Sequence, residues 1–274
     1  MSRLKNKAQE VLKIIDQGGF YLANGEWVNI RNEIDYAINY SKTYAPEEHN
    51  LLTISDKITN KKALEIEVTS ETTQIAASRL INAGYDNLVL LNYASAKNAG
   101  GGFINGAKAQ EEDLTRCSTL YPCLRSQTTY YHENRKEKSM LYTDYIIYSP
   151  KVPWFRIRSR DDPETVFLAS VITAPAPNAN QARRRWIDAK TIENALRRRC
   201  GLVLGVAKEN GHRNILLGAW GCGVFGNNPM TVANAFKTWL LDPVFEGAFD
   251  HVTFAVFDRS KGKVVFNAFK KEFL

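Results

Sequence analysis

Residues 88–112 constrain the fold more tightly than any other stretch of the chain. Leu88-Val89-Leu90-Leu91 is an apolar run of the length expected for a buried strand. Gly100-Gly101-Gly102 follows, and a helical pattern starts at Gln110-Glu111-Glu112. A buried strand, a glycine loop and a helix in that order form the repeating unit of layered α/β folds. Three glycines in a row let backbone N–H groups approach a bound group closely and permit φ > 0. Such N–H groups form a concave nest for anions, usually phosphate. Glu111 and Glu112, brought back toward that loop, supply a candidate acid or base. The rival reading is a flexible surface loop before a helix whose first turn carries acids to suit the macrodipole. It accounts for the two carboxylates but not for a glycine triplet placed just after a strand.

The flanking pattern extends that unit in both directions. Leu4, Ala8, Val11, Leu12 and Ile15 predict a helix over 3–17, stopped by Gly18-Gly19. Residues 20–28 read as an extended piece turning at Asn24-Gly25, and 29–60 show little periodicity. Residues 1–60 are therefore expected to form an N-terminal extension packed on a main domain of residues 61–274. From Lys61, strands at 64–68, 88–93, 145–148, 166–174, 214–220 and 251–257 alternate with helical segments. Those helices are expected at 69–83, 110–121, 183–210 and 228–241, with a polar helical end. Pro122 should stop the second of them, and Gly201 is a candidate break in the third. Ser149-Pro150 should end a strand and leave Trp154 and Phe155 in a loop. The expectation is an α/β domain with helices on both sheet faces and ligands at the carboxyl ends of strands.

Composition narrows the classes. The chain has 274 residues, 44% hydrophobic and 24% charged, which is ordinary for a globular protein. No apolar run approaches membrane-spanning length, and the first residues lack a signal-peptide core. Cys117, Cys123, Cys200 and Cys222 contain no CxxC pair, and His49, His132, His212 and His251 no HExxH spacing. No metal site and no disulfide framework are expected, and free thiols suit the cytoplasm, or the nucleus in a eukaryotic source. The net charge of +7 suits a polyanionic partner as well as simple solubility. Arg183-Arg184-Arg185 and Arg197-Arg198-Arg199 read either as solvated faces or as nucleic-acid contacts.

A second glycine cluster, Gly218-Ala219-Trp220-Gly221-Cys222-Gly223-Val224-Phe225-Gly226-Asn227, also lies between a predicted strand and a helix. Its spacing is not GxGxxG, and no Gly-Lys-Ser/Thr follows either cluster, so neither is a P-loop. It reads as a second anion nest or as a tight turn with Cys222 packed. Two such loops suit a split site gripping both sides of a diphosphate-bearing ligand.

Gly100-Gly101-Gly102, then seven residues, then Gln110-Glu111-Glu112 resembles the signature of the poly(ADP-ribose) glycohydrolases. The context from Leu91 to Ala99 resembles their compact, bacterial-type branch. The likeness continues through Arg116-Cys117-Ser118-Thr119-Leu120-Tyr121, Ile172-Thr173-Ala174-Pro175-Ala176-Pro177-Asn178 and Gly221-Cys222-Gly223-Val224-Phe225-Gly226. It covers roughly residues 60–260. The resemblance implies a macrodomain-like three-layer α/β/α sandwich with a mixed central sheet, poly(ADP-ribose) or another ADP-ribosylated macromolecule as substrate, and ADP-ribose as product. It implies no metal and no cofactor. Glu112 would be the catalytic acid and base, and Glu111 would hold ribose hydroxyls. Adjacent helical residues point roughly 100° apart, so the pair would not readily flank a bond from opposite faces. Asn98 is implied at the distal ribose, beside Gly100, Gly101 and Gly102, and Gln110 would orient the Glu pair or a ribose hydroxyl. Gly221, Cys222, Gly223, Val224 and Gly226 would wrap the diphosphate, and Phe225 would pack on the reacting ribose or serve as a core residue. Glu71 would accept the adenine amino hydrogen or cap the following helix, and Asn178 is a weaker binding candidate. Two other functions stand beside polymer cleavage: an ADP-ribose reader without hydrolysis, and a hydrolase of mono-ADP-ribosylated protein or nucleic acid. Gln110-Glu111-Glu112 argues against the reader, and the bacterial-type likeness implies cleavage from chain ends.

Overall fold

Strands buried on both faces build the architecture of this computed structural model, which describes residues 3–48, 50, 62–164 and 166–274. His49 and the boundary expected between residues 60 and 61 lie outside the described residues. The chain opens with α1 (Arg3–Gln17), the hairpin β1 (Gly19–Tyr21) and β2 (Trp27–Asn29), α2 (Arg31–Asn39) and β3 (Lys42–Tyr44). Next come β4 (Glu65–Thr69), α3 (Thr73–Asn82), β5 (Leu88–Tyr93), α4 (Gln110–Cys117), α5 (Leu120–Ser126) and α6 (Thr128–Lys136). Then follow β6 (Ile146–Trp154), β7 (Phe167–Ala174), α7 (Ala179–Arg184), α8 (Ala189–Glu209), β8 (Asn214–Gly218), α9 (Pro229–Leu240), β9 (His251–Ala255) and α10 (Val264–Phe273).

The strand order is β3-β6-β7-β5-β8-β9-β4, a seven-stranded sheet. Pairing is parallel from β7 through β5, β8 and β9 to β4, and antiparallel at β7–β6 and β6–β3. Val89, Leu91, Ile172, Ile215 and Leu217 point to one face, where they pack with Leu196, Val203, Phe236 and Phe269 of α8, α9 and α10. Leu88, Leu90, Val171 and Leu216 point to the other face, against Ala76, Leu80, Leu114, Leu124 and Tyr130 of α3 to α6. The sheet is thus sandwiched between two helical layers, as the resemblance implied. No helix among the described residues is long and apolar enough to cross a membrane.

Several local expectations are corrected. α2 and β3 occupy the stretch that shows little periodicity, and β3 joins the main sheet rather than only resting on it. α4 ends at Cys117 because Ser118 and Thr119 turn to the end of β6: Thr119 N–H donates to the Pro153 carbonyl, and Phe155 N–H to that of Cys117. Pro122 then falls in the first turn of α5, where its missing N–H is not needed. β6 runs through Pro150 and Pro153 to Trp154, since a register shift between Ser149 and Val152 absorbs an extra residue. Past Tyr148 no strand among the described residues pairs on its β3 side, so the prolines interrupt no ladder there. Trp154 is the last residue of the strand and Phe155 lies in the loop just past it, yet both are core residues.

Gly201 does not break α8. The indole of Trp239 on α9 lies where a Cβ at Gly201 would sit, so glycine is required for helix contact. The arginine run at 197–199 is not a uniform solvated face, because each of its members is tied to an acid and the last is buried. Arg197 pairs with Glu193 at 2.7 Å, and Arg198 with Asp144 at 2.6 Å. Arg199 is fully buried, bonded to Asp144 and to the carbonyls of Leu141, Tyr142 and Pro175.

Candidate active site

Both glycine loops leave the carboxyl ends of neighbouring parallel strands, β5 and β8, with the end of β7 beside them. The Ala174 carbonyl at the end of β7 accepts from Ala94 N–H on one side, at 3.3 Å, and from Trp220 Nε1 on the other, at 3.2 Å. The Tyr93 hydroxyl lies under Gly218, in the space a Cβ would take. The two loops are therefore built on one shared floor.

In the first loop, the N–H groups of the glycine triplet are spent within the chain: that of Gly101 on the Asn98 carbonyl at 3.0 Å, and others on its own carboxylates. Gly102 N–H donates to Glu112 Oε1 at 2.9 Å. Glu111 Oε2 accepts from Ser95 N–H at 2.7 Å, and Oε1 from Asn92 Nδ2 at 3.3 Å. The Gly100 backbone also faces Glu111. Gly101, at φ 58°, needs its missing Cβ for this arrangement, because the atom would collide with Glu112 Oε1. Gln110 spends its whole amide on positioning: Oε1 accepts from Tyr93 N–H, while Nε2 donates to the Leu91 carbonyl and Thr73 Oγ1. That grip fixes the start of α4 to the end of β5, and with it the direction of both glutamates. Arg116, one turn further along, donates to the Ala107 carbonyl and holds the far end of the loop. Asn98 is exposed on the loop's rim.

The two glutamates are not equivalent. Both are buried, at 2% exposure for Glu111 and 8% for Glu112. Every oxygen of Glu111 is engaged, whereas Glu112 Oε2 has no hydrogen-bond partner among the described residues. A buried acceptor without a partner is costly and marks a place where a ligand group completes the bonding. Burial pushes the Glu111 carboxyl up to about 8, against the opposing pull of its Ser95 and Asn92 donors. That shift favours the protonated form.

That shift has a consequence for stability. The folded carboxyl keeps its proton up to about pH 8. The unfolded chain releases it in the usual carboxylate range. Between the two, unfolding releases a proton, so stability falls as pH rises through this window. Glu111→Gln is expected to flatten that fall, by on the order of a few kcal/mol at its upper end. Urea melts of both proteins at pH 5 and pH 8 measure it, and equal pH slopes would show that Glu111 titrates normally.

In the second loop, Gly221 and Gly226 take φ of 72° and 67°. Asn227 Nδ2 braces it by donating to the carbonyls of Pro177 (2.8 Å) and Gly221 (3.1 Å), and Asn180 Nδ2 donates to that of Val224 (3.0 Å). The N–H groups of Gly223, Val224 and Phe225 have no acceptor among the described residues, and the space beside Gly223 is open. Val224 is 87% exposed. Phe225 is half-buried, with its ring 6.0 Å from that of Tyr142. Arg199 fixes Tyr142 there through its carbonyl. Burial pushes the half-exposed Cys222 thiol up to about 12, so it stays protonated.

Glu71 lies just beyond β4, three strands across from β5, which places it roughly 15 Å away by strand spacing. It does not cap α3. The cap position is Thr72, and the Glu71 carboxylate is held by Arg79 Nε at 3.1 Å and Nη2 at 3.0 Å. Asn178 caps α7 by accepting from Gln181 N–H. Sequence reasoning missed Asn92, Asn180, Asn227 and Tyr142. Asn92 carries a usable signal, a polar side chain at an inward position ending an apolar strand. No group of three His, Cys, Asp or Glu residues among those described is arranged to hold a metal ion.

The family model described as microbial-type PARG, catalytic domain, matches residues 8–157. The chain is similar to poly(ADP-ribose) glycohydrolase from Thermomonospora curvata, at 40% identity over 98% of this chain and 99% of that one, with a TM-score of 0.93. The same enzyme bound to the inhibitor ADP-HPD gives 40% identity over the same shares and a TM-score of 0.88. Poly(ADP-ribose) glycohydrolase from Deinococcus radiodurans in complex with ADP-ribose is 41% identical over 87% of this chain and 96% of that one, with a TM-score of 0.80. No curated protein sequence matches the chain.

Proposed function

The chain belongs to the microbial-type poly(ADP-ribose) glycohydrolases, and on that premise we propose that it hydrolyses the ribose–ribose O-glycosidic bonds of poly(ADP-ribose) from the chain end, with Glu112 as general acid and base. The observation that carries this assignment is the unpartnered Oε2 of Glu112, beside a Glu111 whose oxygens are all engaged. Oε2 protonates the leaving ribose 2′-oxygen as the glycosidic bond breaks. The resulting carboxylate then takes a proton from the water that attacks the oxocarbenium-like centre, which restores the acid. Gly102 N–H holds Oε1 throughout, so the catalytic oxygen needs no reorganisation.

Glu111 and Asn98 hold hydroxyls of the reacting ribose, and Phe225 packs against its ring. The diphosphate lies against Gly221, Cys222, Gly223, Val224 and Gly226, where unpaired N–H groups supply the donors. There its charge also offsets the positive centre. Glu71 accepts the adenine amino hydrogen. A separation of roughly 15 Å between the Glu71 and Glu112 ends suits an extended ligand with a base at one end and a ribose at the other. The cytoplasm is the compartment that four free thiols fit.

The test is incubation with labelled poly(ADP-ribose) and, separately, with mono-ADP-ribosylated protein. Monomeric ADP-ribose should be the released product at the earliest times, with the remaining chains shortened one unit at a time, while the protein-linked unit remains. Release from mono-modified protein alone would overturn the polymer reading, and early excision of multi-unit fragments would overturn end-only action.

A further inference from the structure

Beside the Phe225 end of the second loop, the surface carries an exposed arginine run and an exposed aromatic ring. α7 closes with Ile187 N–H donating to the Ala182 carbonyl and Trp186 N–H to that of Arg183, which leaves Trp186 in a left-handed conformation at φ 61°. Glycine is the ordinary occupant of that position, since any side chain is strained there. Trp186 is nevertheless present, and it is 95% exposed. Packing does not explain it.

Arg183, Arg184 and Arg185 precede it, all exposed and none ion-paired among the described residues. The nearest acids in sequence are otherwise engaged: Asp188 caps α8 through Thr191, and Glu193 pairs with Arg197; Glu137, beside the Lys138 that Arg185 reaches, accepts from Ser139 N–H. The patch is tied to the loop by Asn180 N–H on the Phe225 carbonyl (3.0 Å) and by Arg183 Nη1 on the Gly226 carbonyl (3.4 Å). Arg185 Nη1 bonds the Lys138 carbonyl, in the segment that leads to Tyr142.

We propose that Arg184 and Trp186, with Arg183 and Arg185, form a second subsite that holds the polymer unit next to the scissile bond. The inference rests on the function proposed above. If the reacting ribose lies between Glu112 and Phe225, the rest of the chain leaves on the Phe225 and Tyr142 side, where this patch stands. Each polymer unit carries a diphosphate for the guanidinium groups and an adenine for the indole face. Single-stranded nucleic acid offers similar groups, but the ties to the substrate loop favour the polymer.

Binding is measured on Glu112→Gln protein, so that nothing is cleaved, with Arg184→Ala or Trp186→Ala added. Trp186→Gly serves as a second variant that relieves the left-handed strain. The probes are poly(ADP-ribose) of defined length, free ADP-ribose and a single-stranded DNA oligonucleotide. Polymer affinity should fall roughly tenfold with each change, while ADP-ribose affinity stays constant. Loss of Arg184 should also lower the salt slope for polymer by about 0.7. Unchanged polymer affinity in the folded variants would overturn the subsite, as would a loss confined to the oligonucleotide. If polymer binds through this patch but the protein with Glu112 intact fails to cut it, the proposed function falls and the subsite stands.

Discussion

Glu112→Gln is expected to bind ADP-ribose with wild-type affinity and to hydrolyse polymer at least about a hundredfold more slowly. Gly102 N–H requires an acceptor at the position of Oε1. The amide oxygen takes that place and turns the NH₂ group toward the position of Oε2, which the site leaves without a partner. Shape and polarity are kept, but an amide cannot give up a proton and recover one. Glu111 cannot substitute for it. Its oxygens are held by Ser95, Asn92 and Gly100, and it points away by about 100° along the helix. Calorimetry with ADP-ribose and single-turnover hydrolysis separate the two effects. Wild-type turnover by this variant would remove Glu112 from its assigned role.

Gly223→Glu should abolish ADP-ribose binding in a protein that remains folded. No atom lies within 4 Å of the Cβ position, and the residue is not in the left-handed region, so neither sterics nor backbone strain opposes the side chain. The new carboxylate would stand in the open space in front of the free N–H groups of Gly223, Val224 and Phe225. It competes with a diphosphate for those donors and repels it as a like charge. A loss of roughly a hundredfold or more in affinity is expected, since the ligand forfeits charge-assisted bonds and meets repulsion. Circular dichroism confirms the fold, and calorimetry reads the affinity. A folded variant with unchanged affinity would show that the second loop does not hold the ligand.

The parts of the fold legible from sequence were those where one period dominates. β5, β7 and β8 read as continuous apolar runs because both faces are covered by helices. What escaped notice depends on distant partners. β6 passes two prolines because a bulge and an unpaired edge accommodate them, and neither is visible locally. The break between α4 and α5 exists only because Ser118 and Thr119 meet the end of β6. The glycine triplet points to the site, but the intramolecular partners of its N–H groups are not legible in the sequence. A nest reads alike whether it awaits a phosphate or clamps a carboxylate that returns ten residues later. Likewise, three consecutive arginines at 197–199 look solvated until Asp144 and three carbonyls converge on Arg199.

The pairing of Lys42–Tyr44 with Ile146–Tyr148 also governs the order of events during synthesis. The first strand to emerge that belongs to the main sheet is an outermost one. Its neighbour follows about 100 residues later, and the strand beyond that, β7, later still. Closing so wide a chain separation costs loop entropy before any ladder bond is gained, and topologies of this kind fold slowly. The early segment thus precedes by about 100 residues the buried strand that anchors it in the sheet.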